Sequence, residues 1–301
     1  MKKNKIYIAG AGGMLGEAFF NVFRKKYYVK CSDKEPTDKW QSILDFTDYN
    51  KYLDDVKNFE ADYLVHLGAM TNLEQCESNP NETYLNNTKS VEFATKISNI
   101  LKIKLVFIST AGIFDGKKDT YIDDDIPNPL CHYAKSKYES EKYIEKNSNE
   151  YLICRAGWMM GGGERKDKKF VNNIIKQIKK GNKELNIVSD KNGTPTYTYD
   201  FANNVFLMLE KNITGKFNLV CEGLTSRLDV AKEILKYFNL DNKIIINEVE
   251  SSFFKNEFFV NRPLSERLIN KKLNDLSLNI MRDWKLCLKE YLNEEYSNIK
   301  L

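Results

Sequence analysis

Short apolar runs alternate with amphipathic stretches through the first half of the chain. KIYIAG (5–10) reads as a strand, MLGEAFFNVFRKK (14–26) as a helix, YYVKCS (27–32) as a second strand and DYNKYLDDVKNF (48–59) as a second helix. DYLVHLGA (62–69) and KLVFIST (104–110) read as further strands, and ILDFTD as a short one closed by Asp45. Between 69 and 104 runs a long helical stretch in which Val91, Ala94, Ile97 and Leu101 recur at helical spacing, so one face should turn to a core. Strands alternating with helices of this length predict right-handed parallel βαβ units. The fold class is therefore α/β, a Rossmann-type doubly wound parallel sheet.

From about residue 157 the pattern loosens. Glycines at 161–163, a basic helical segment, LNIVSD (185–190), a helix from about Asp200 and GKFNLV (215–220) come first. A helix near 226–238 and a last one with Met281, Trp284, Leu288 and Tyr291 on one stripe complete the chain. This predicts a dinucleotide-binding domain over 1–158 that also takes in about 186–220, and a smaller C-terminal α/β substrate lobe made mainly of 159–301. No repeat, Pro-rich linker or low-complexity tract marks a boundary, so the segments should interleave.

Composition narrows the class. A chain of 301 residues, 42% hydrophobic, can bury a large core. No apolar stretch reaches the roughly 18 residues a membrane span needs, and the apolar run after Lys2, Lys3 and Lys5 is too short for a signal-peptide core. A cytoplasmic protein without membrane association is the expectation. Cys31, Cys76, Cys131, Cys154, Cys221 and Cys287 show no paired spacing, and His66 and His132 are the only histidines, so neither disulfides nor a metal site is expected. A net charge of +4 spread along the chain implies no nucleic-acid partner.

Gly10, Gly13 and Gly16 follow the first strand and open the first helix in AGAGGMLG (9–16). A dinucleotide needs small residues there: the chain turns tightly, the backbone approaches the pyrophosphate, and the helix N-terminus offers free N–H groups. Gly10, Gly12, Gly13, Met14 and Leu15 are the candidate cradle. Asp33 ends the second strand at the distance where a carboxylate accepts hydrogen bonds from the adenosine ribose, which suits NAD. Lys34 beside it would neutralise the extra phosphate of NADP, so the cofactor stands as NAD or NADP. Asp45 and Phe46 fall near the adenine, and Gly68 and Ala69 follow the fourth strand, where small residues let a ribose lie on the sheet edge.

Tyr133 and Lys137 stand four apart in HYAKSKYESEKYI, so a helix aims both from one face. A neighbouring ammonium favours the phenolate, which lets a phenol exchange a proton nearer neutral pH. Thr110 ends the strand KLVFIST, where ligands of parallel sheets bind, and its hydroxyl can hold a substrate oxygen. Ser109 precedes it, and strand alternation aims only one of the two at a ligand; Thr110 is the choice.

These features resemble the extended short-chain dehydrogenase/reductase family. The glycine loop, HLGA, Ser109-Thr110 and Tyr133-x-x-x-Lys137 carry the resemblance. EQCESNP (74–80), Asn87, STAGIFDG (109–116), CRAGWMMG (154–161), GTPTY (193–197) and NRPLSERL (261–268) extend it over nearly the whole chain. Within that family the chain is similar to dTDP-4-dehydrorhamnose reductases and their relatives. The resemblance implies an oxidoreductase whose C-terminal lobe grips a nucleotide sugar. It further implies that Tyr133 protonates the carbonyl oxygen, that Lys137 holds the nicotinamide ribose, and that Thr110 binds the same oxygen. Asn87 and Ser109 would join the cofactor site, and Ala111, Trp158 and Arg262 the substrate site. Two departures stand out: Ala111-Gly112 where the reductases usually carry Asp-Tyr, and Glu74-Gln75 where they carry Asp-Lys.

His66 reads as a packed core residue, and His132 points off the face of Tyr133. Ala111-Gly112 argue against a 4,6-dehydratase. An NAD-retaining sugar-nucleotide 4-epimerase remains an alternative, as does a non-catalytic binding subunit, since the regulatory subunit of methionine adenosyltransferase resembles the same family. A homodimer is compatible with the sequence and not required by it.

Overall fold

The strand pattern yields β1 (Lys5–Ala9), β2 (Tyr28–Asp33), β3 (Gln41–Ile43), β4 (Tyr63–His66), β5 (Lys104–Thr110) and β6 (Tyr151–Ala156) in the computed structural model, which describes residues 4–299. With the edge strand Gly215–Asn218 they form a seven-stranded sheet in the order Gly215–Asn218, β6, β5, β4, β1, β2, β3. All its pairings are parallel. The Rossmann-type α/β class is thus observed. Strand alternation feeds two cores: Ile6 and Ile8 pack with Phe19, Phe23 and Phe201 on one face, and Tyr7 and Ala9 with Tyr52, Val91, Phe107 and Ile144 on the other. A sheet covered on both faces needs apolar residues at successive positions, which is why these strands read as near-continuous apolar runs.

The chain steps outward from β1 to β2 and β3, then returns through helix Tyr49–Phe59 to β4 on the opposite side of β1. The loops after β1 and β4 therefore diverge and open a crevice at the carboxyl ends of the strands. Glycine is required at the crevice floor. Gly10 has φ +79°, and a Cβ on it would lie 2.2 Å from the Gly68 backbone nitrogen.

The stretch between β4 and β5 is divided into Leu73–Ser78, Pro80–Tyr84, a π-turn at Leu85–Lys89 and Ser90–Leu101. Asn79 is the first break. It precedes Pro80 and sits at φ −130°, ψ 68°, because the proline ring bars its neighbour from the helical region.

Beyond β6 the chain passes between the large sheet and smaller ones. Trp158–Met160 pairs with Pro195–Tyr197, and Glu184–Val188 pairs with Ile245–Val249. Asn192–Gly193 lies between Thr225–Ser226 and Ser265–Glu266. Helix Thr198–Glu210 returns to cover helix Gly16–Phe23, with the Phe19 and Phe201 rings 6.3 Å apart. The last helix, Trp284–Tyr296, is capped by Asp283, whose side chain accepts from the Lys285 N–H.

Candidate active site

The glycine loop places its residues at the crevice mouth. Gly12 donates its N–H to Asp33 Oδ2 at 2.8 Å, and Asp33 Oδ1 accepts from Glu35 N at 3.0 Å, so the carboxylate at the end of β2 is fixed beside the loop. Gly13 is exposed, with nothing within 4 Å of where a Cβ would be. The helix begins at Gly16, where a Cβ would strike the Ala11 carbonyl oxygen at 1.8 Å. Among the described residues the N–H groups of Gly13, Met14 and Leu15 have no backbone acceptor. A cradle of open space and unsatisfied donors at a helix N-terminus, with a carboxylate one strand away, fits a dinucleotide: pyrophosphate over Gly13–Leu15, ribose at Asp33.

Phe46 covers Gly68, where a Cβ would come within 2.5 Å of its ring, and Ala69 continues the same loop, half-buried. Lys34 is engaged with Asp45 at 3.1 Å and with Asn86 Oδ1 at 3.0 Å, while Asp45 also accepts from Thr47. Lys34 and Asp45 thus neutralise one another. Asn87, fully buried, spends its amide on the Met70 backbone at 2.7 and 3.0 Å and on Ser136 Oγ at 3.2 Å. It ties the loop after β4 to the helix that carries Tyr133, and any effect on a cofactor passes through that tie.

That helix, His132–Asn147, lays Tyr133 and Lys137 against the end of β5. Thr110 Oγ1 accepts the Gly112 N–H at 3.1 Å, which leaves its own hydroxyl proton to be donated elsewhere. Burial raises the Tyr133 pKa, and a hydrogen bond with the Thr110 hydroxyl lowers it in part. Lys137 is 4% exposed, with its Nζ 4.0 Å from the centroid of the Phe107 ring. Burial lowers its pKa to about 7, opposed by the charge of Glu141 one turn further on. Ser109 is buried, and its hydroxyl has no hydrogen-bond partner among the described residues. His66 is packed between Tyr52 at 3.1 Å and Ser90 at 3.2 Å, and burial lowers its pKa to about 3, so it stays neutral.

On the substrate side Ala111 follows the strand-end threonine directly. Its side chain is buried with Ile113, Phe114, Tyr121 and Leu268, because the chain turns into a short 3-10 helix immediately after Thr110. Gly112, also buried, stands beside the strand-end hydroxyl: a Cβ there would lie 3.4 Å from Glu266 Oε1 and 3.5 Å from Thr110 Oγ1. Trp158 donates its indole N–H to Glu266 Oε2 at 2.8 Å, with the Arg227 guanidinium 3.7 Å over its ring. Arg262 pairs with Glu74 at 2.6 Å, so its charge is already met by a carboxylate.

Three residues at the site were not singled out from the sequence. Glu266 sits within the quoted NRPLSERL, yet nothing local marks it. Arg227 stands between the rings of Trp158 and Phe170, and among the described residues its guanidinium has no hydrogen-bond or ion-pair partner. Glu141 forms a fully buried pair with Arg155 at 2.7 Å, and its spacing of four from Lys137 was its one sequence signal.

Known proteins are similar to this chain over most of its length. The dTDP-4-dehydrorhamnose reductase of Aggregatibacter actinomycetemcomitans is 26% identical over 301 residues, covering 95% of this chain and 97% of that one. The methionine adenosyltransferase 2 subunit beta of Bos taurus is 24% identical, covering 96% and 87%. The solved dTDP-4-dehydrorhamnose reductase of Bacillus anthracis, in complex with NADP, superposes with a TM-score of 0.88 at 25% identity, covering 97% and 100%. The model of the RmlD substrate binding domain matches residues 4–297, and the chain belongs to that family.

Proposed function

We propose that this protein is a nicotinamide-dependent reductase of a 4-keto group on a nucleoside-diphosphate 6-deoxy sugar. The observation that carries the reading is the convergence of the Thr110 hydroxyl and the Tyr133 phenol at the carboxyl end of β5, with the Lys137 ammonium one helical turn behind. Gly12, Gly13, Met14, Leu15 and Asp33 would hold the dinucleotide, which supplies a hydride when bound. Thr110 donates a hydrogen bond to the carbonyl oxygen and fixes its position. Tyr133 delivers a proton to that oxygen as negative charge develops on it, and Lys137 stabilises the resulting phenolate while holding the nicotinamide ribose. Arg227, with its N–H groups unspent, suits the diphosphate of the substrate, since a guanidinium donates to phosphate oxygens in a fixed fork. Binding energy from such a handle positions the sugar for reaction.

The test is oxidation of NADH and NADPH across a panel of nucleoside-diphosphate 4-keto-6-deoxyhexoses, with product stereochemistry read by NMR. Turnover on nucleotide sugars and little on free sugars or simple ketones is expected. Tyr133→Phe should retain dinucleotide affinity and lose about a hundredfold to ten-thousandfold in turnover, the usual worth of general acid catalysis. Cofactor that co-purifies and is not consumed would establish an epimerase instead. Dinucleotide binding with no turnover of any nucleotide sugar would establish a binding subunit.

A further inference from the structure

Glu266 is a carboxylate whose charge acts on Tyr133 and which the reaction scheme leaves without a task. Its two oxygens are differently employed. Oε2 accepts the Trp158 indole N–H at 2.8 Å, which fixes the carboxylate, whereas Oε1 has no hydrogen-bond partner among the described residues. Oε1 and Thr110 Oγ1 lie 3.4 and 3.5 Å from one point, the place a side chain at Gly112 would occupy. Glycine at 112 therefore puts no side chain between an unspent acceptor and the hydroxyl proposed to bind the carbonyl.

A pyranose whose ketone sits on Thr110 and Tyr133 presents, on each neighbouring ring carbon, a substituent close to that ketone. The two distances to that point hold Oε1 and Thr110 Oγ1 within about 7 Å of one another, a span that a ketone oxygen and an adjacent ring hydroxyl bridge with hydrogen bonds of about 2.7 to 3.0 Å at each end. Arg227 and Lys191 both lie near enough to feel the negative charge of Glu266. A neutral hydroxyl is thus a better partner than an ammonium. We propose that Glu266 is a specificity-determining residue whose Oε1 accepts a hydrogen bond from the sugar hydroxyl on the C3 carbon beside the reacting C4 ketone. The inference rests on the reading of the protein as a nucleotide-sugar 4-ketoreductase and assigns a substrate contact within that site.

The experiment is a double-mutant cycle between protein and substrate. The wild type, Glu266→Gln and Glu266→Ala are assayed on a dTDP-4-keto-6-deoxyhexose and its 3-deoxy counterpart. A hydrogen bond to a charged group implies a loss of about tenfold to a hundredfold in kcat/KM when the hydroxyl is removed from the wild-type substrate. Both variants should lose a similar factor on the parent sugar and little more on the 3-deoxy sugar, with dinucleotide affinity unchanged. Glu266→Gln keeps an oxygen for the Trp158 N–H, so it carries the test should Glu266→Ala fail to fold. Equal losses on removing the hydroxyl in wild type and variants would overturn the contact and leave the reductase reading standing. No wild-type turnover on either nucleotide sugar, with the dinucleotide still bound, would overturn both.

Discussion

Lys137 has almost no access to water, and an ammonium there gives up hydration for the Phe107 ring and the more distant Glu141 charge. Burial brings its pKa from near 10.5 to about 7, below its value in an unfolded chain. Between these values the unfolded chain binds more protons than the native protein, so this residue makes stability rise with pH from about 7 towards 10. Below 7 the cost of holding the charge is fully present. A dinucleotide whose ribose accepts hydrogen bonds from the ammonium favours the charged form, so binding should raise the Lys137 pKa. By linkage, cofactor affinity should then fall as pH rises through 7, and this slope should vanish in Lys137→Met. Calorimetric titration at pH 6, 7 and 8 checks both; a flat wild-type profile would remove Lys137 from the cofactor site. Tyr133, Lys137 and the glycine loop could be read from the sequence because their spacing is local. Glu266 could not: its partner Trp158 lies 108 residues away and its neighbour Gly112 carries no side chain to signal the gap.

At the scale of elements, the helix His132–Asn147 must be held in register on the sheet for Tyr133 to meet Thr110. Arg155 on β6 does this. Its Nε and Nη2 reach both carboxylate oxygens of Glu141 at 2.9 and 2.7 Å, and its Nη1 donates to the Asp123 carbonyl at 2.9 Å. Both side chains are wholly buried, so neither charge can be recovered by water. Removing one partner strands the other, and Glu141→Ala should destabilise the protein by about 3–5 kcal/mol. Replacing both, as Glu141→Leu with Arg155→Met, should recover most of that in a denaturant titration. The double variant should also show a lower Lys137 pKa, because the Glu141 charge that supports the ammonium is gone. Recovered stability with an unmoved Lys137 midpoint would show that the pair serves packing alone. The sequence offered the helix and the strand but not this clamp, since an apolar strand ending in CRAG gives no sign that its arginine turns inward. The reading of 69–104 as one helical stretch failed for a related reason. Asn79-Pro80 and the π-turn interrupt it, and the π-turn puts Asn87 on the Met70 loop, a tertiary requirement that helical periodicity does not encode.

Across the whole molecule the two halves of the chain build one core. Ile6, Phe19 and Phe23 belong to the same apolar cluster as Ile174, Leu185, Val230, Trp284 and Leu288. The edge strand Gly215–Asn218 completes the large sheet from the far side of the smaller pairings, and helix Thr198–Glu210 covers Phe19 and Phe23 on the first helix. A fragment ending at residue 158 would leave the β6 edge unpaired and that aromatic surface open to water, an arrangement that invites association through the sheet edge. We therefore expect residues 1–158 expressed alone to be aggregated or largely unfolded, and the full chain to unfold in a single cooperative transition. If the dinucleotide seats at the glycine loop and the nucleotide sugar at Arg227, both ligands act on that one unit. Each should then raise the transition of the whole protein, by about 2.7 kcal/mol at a hundredfold excess over its Kd. Differential scanning calorimetry with NADH, with dTDP and with both distinguishes the possibilities. One transition shifted by either ligand supports a shared core with the site between the lobes. Two transitions, only one of which responds to NADH, would show that the C-terminal lobe folds independently and that its contacts with the sheet contribute little.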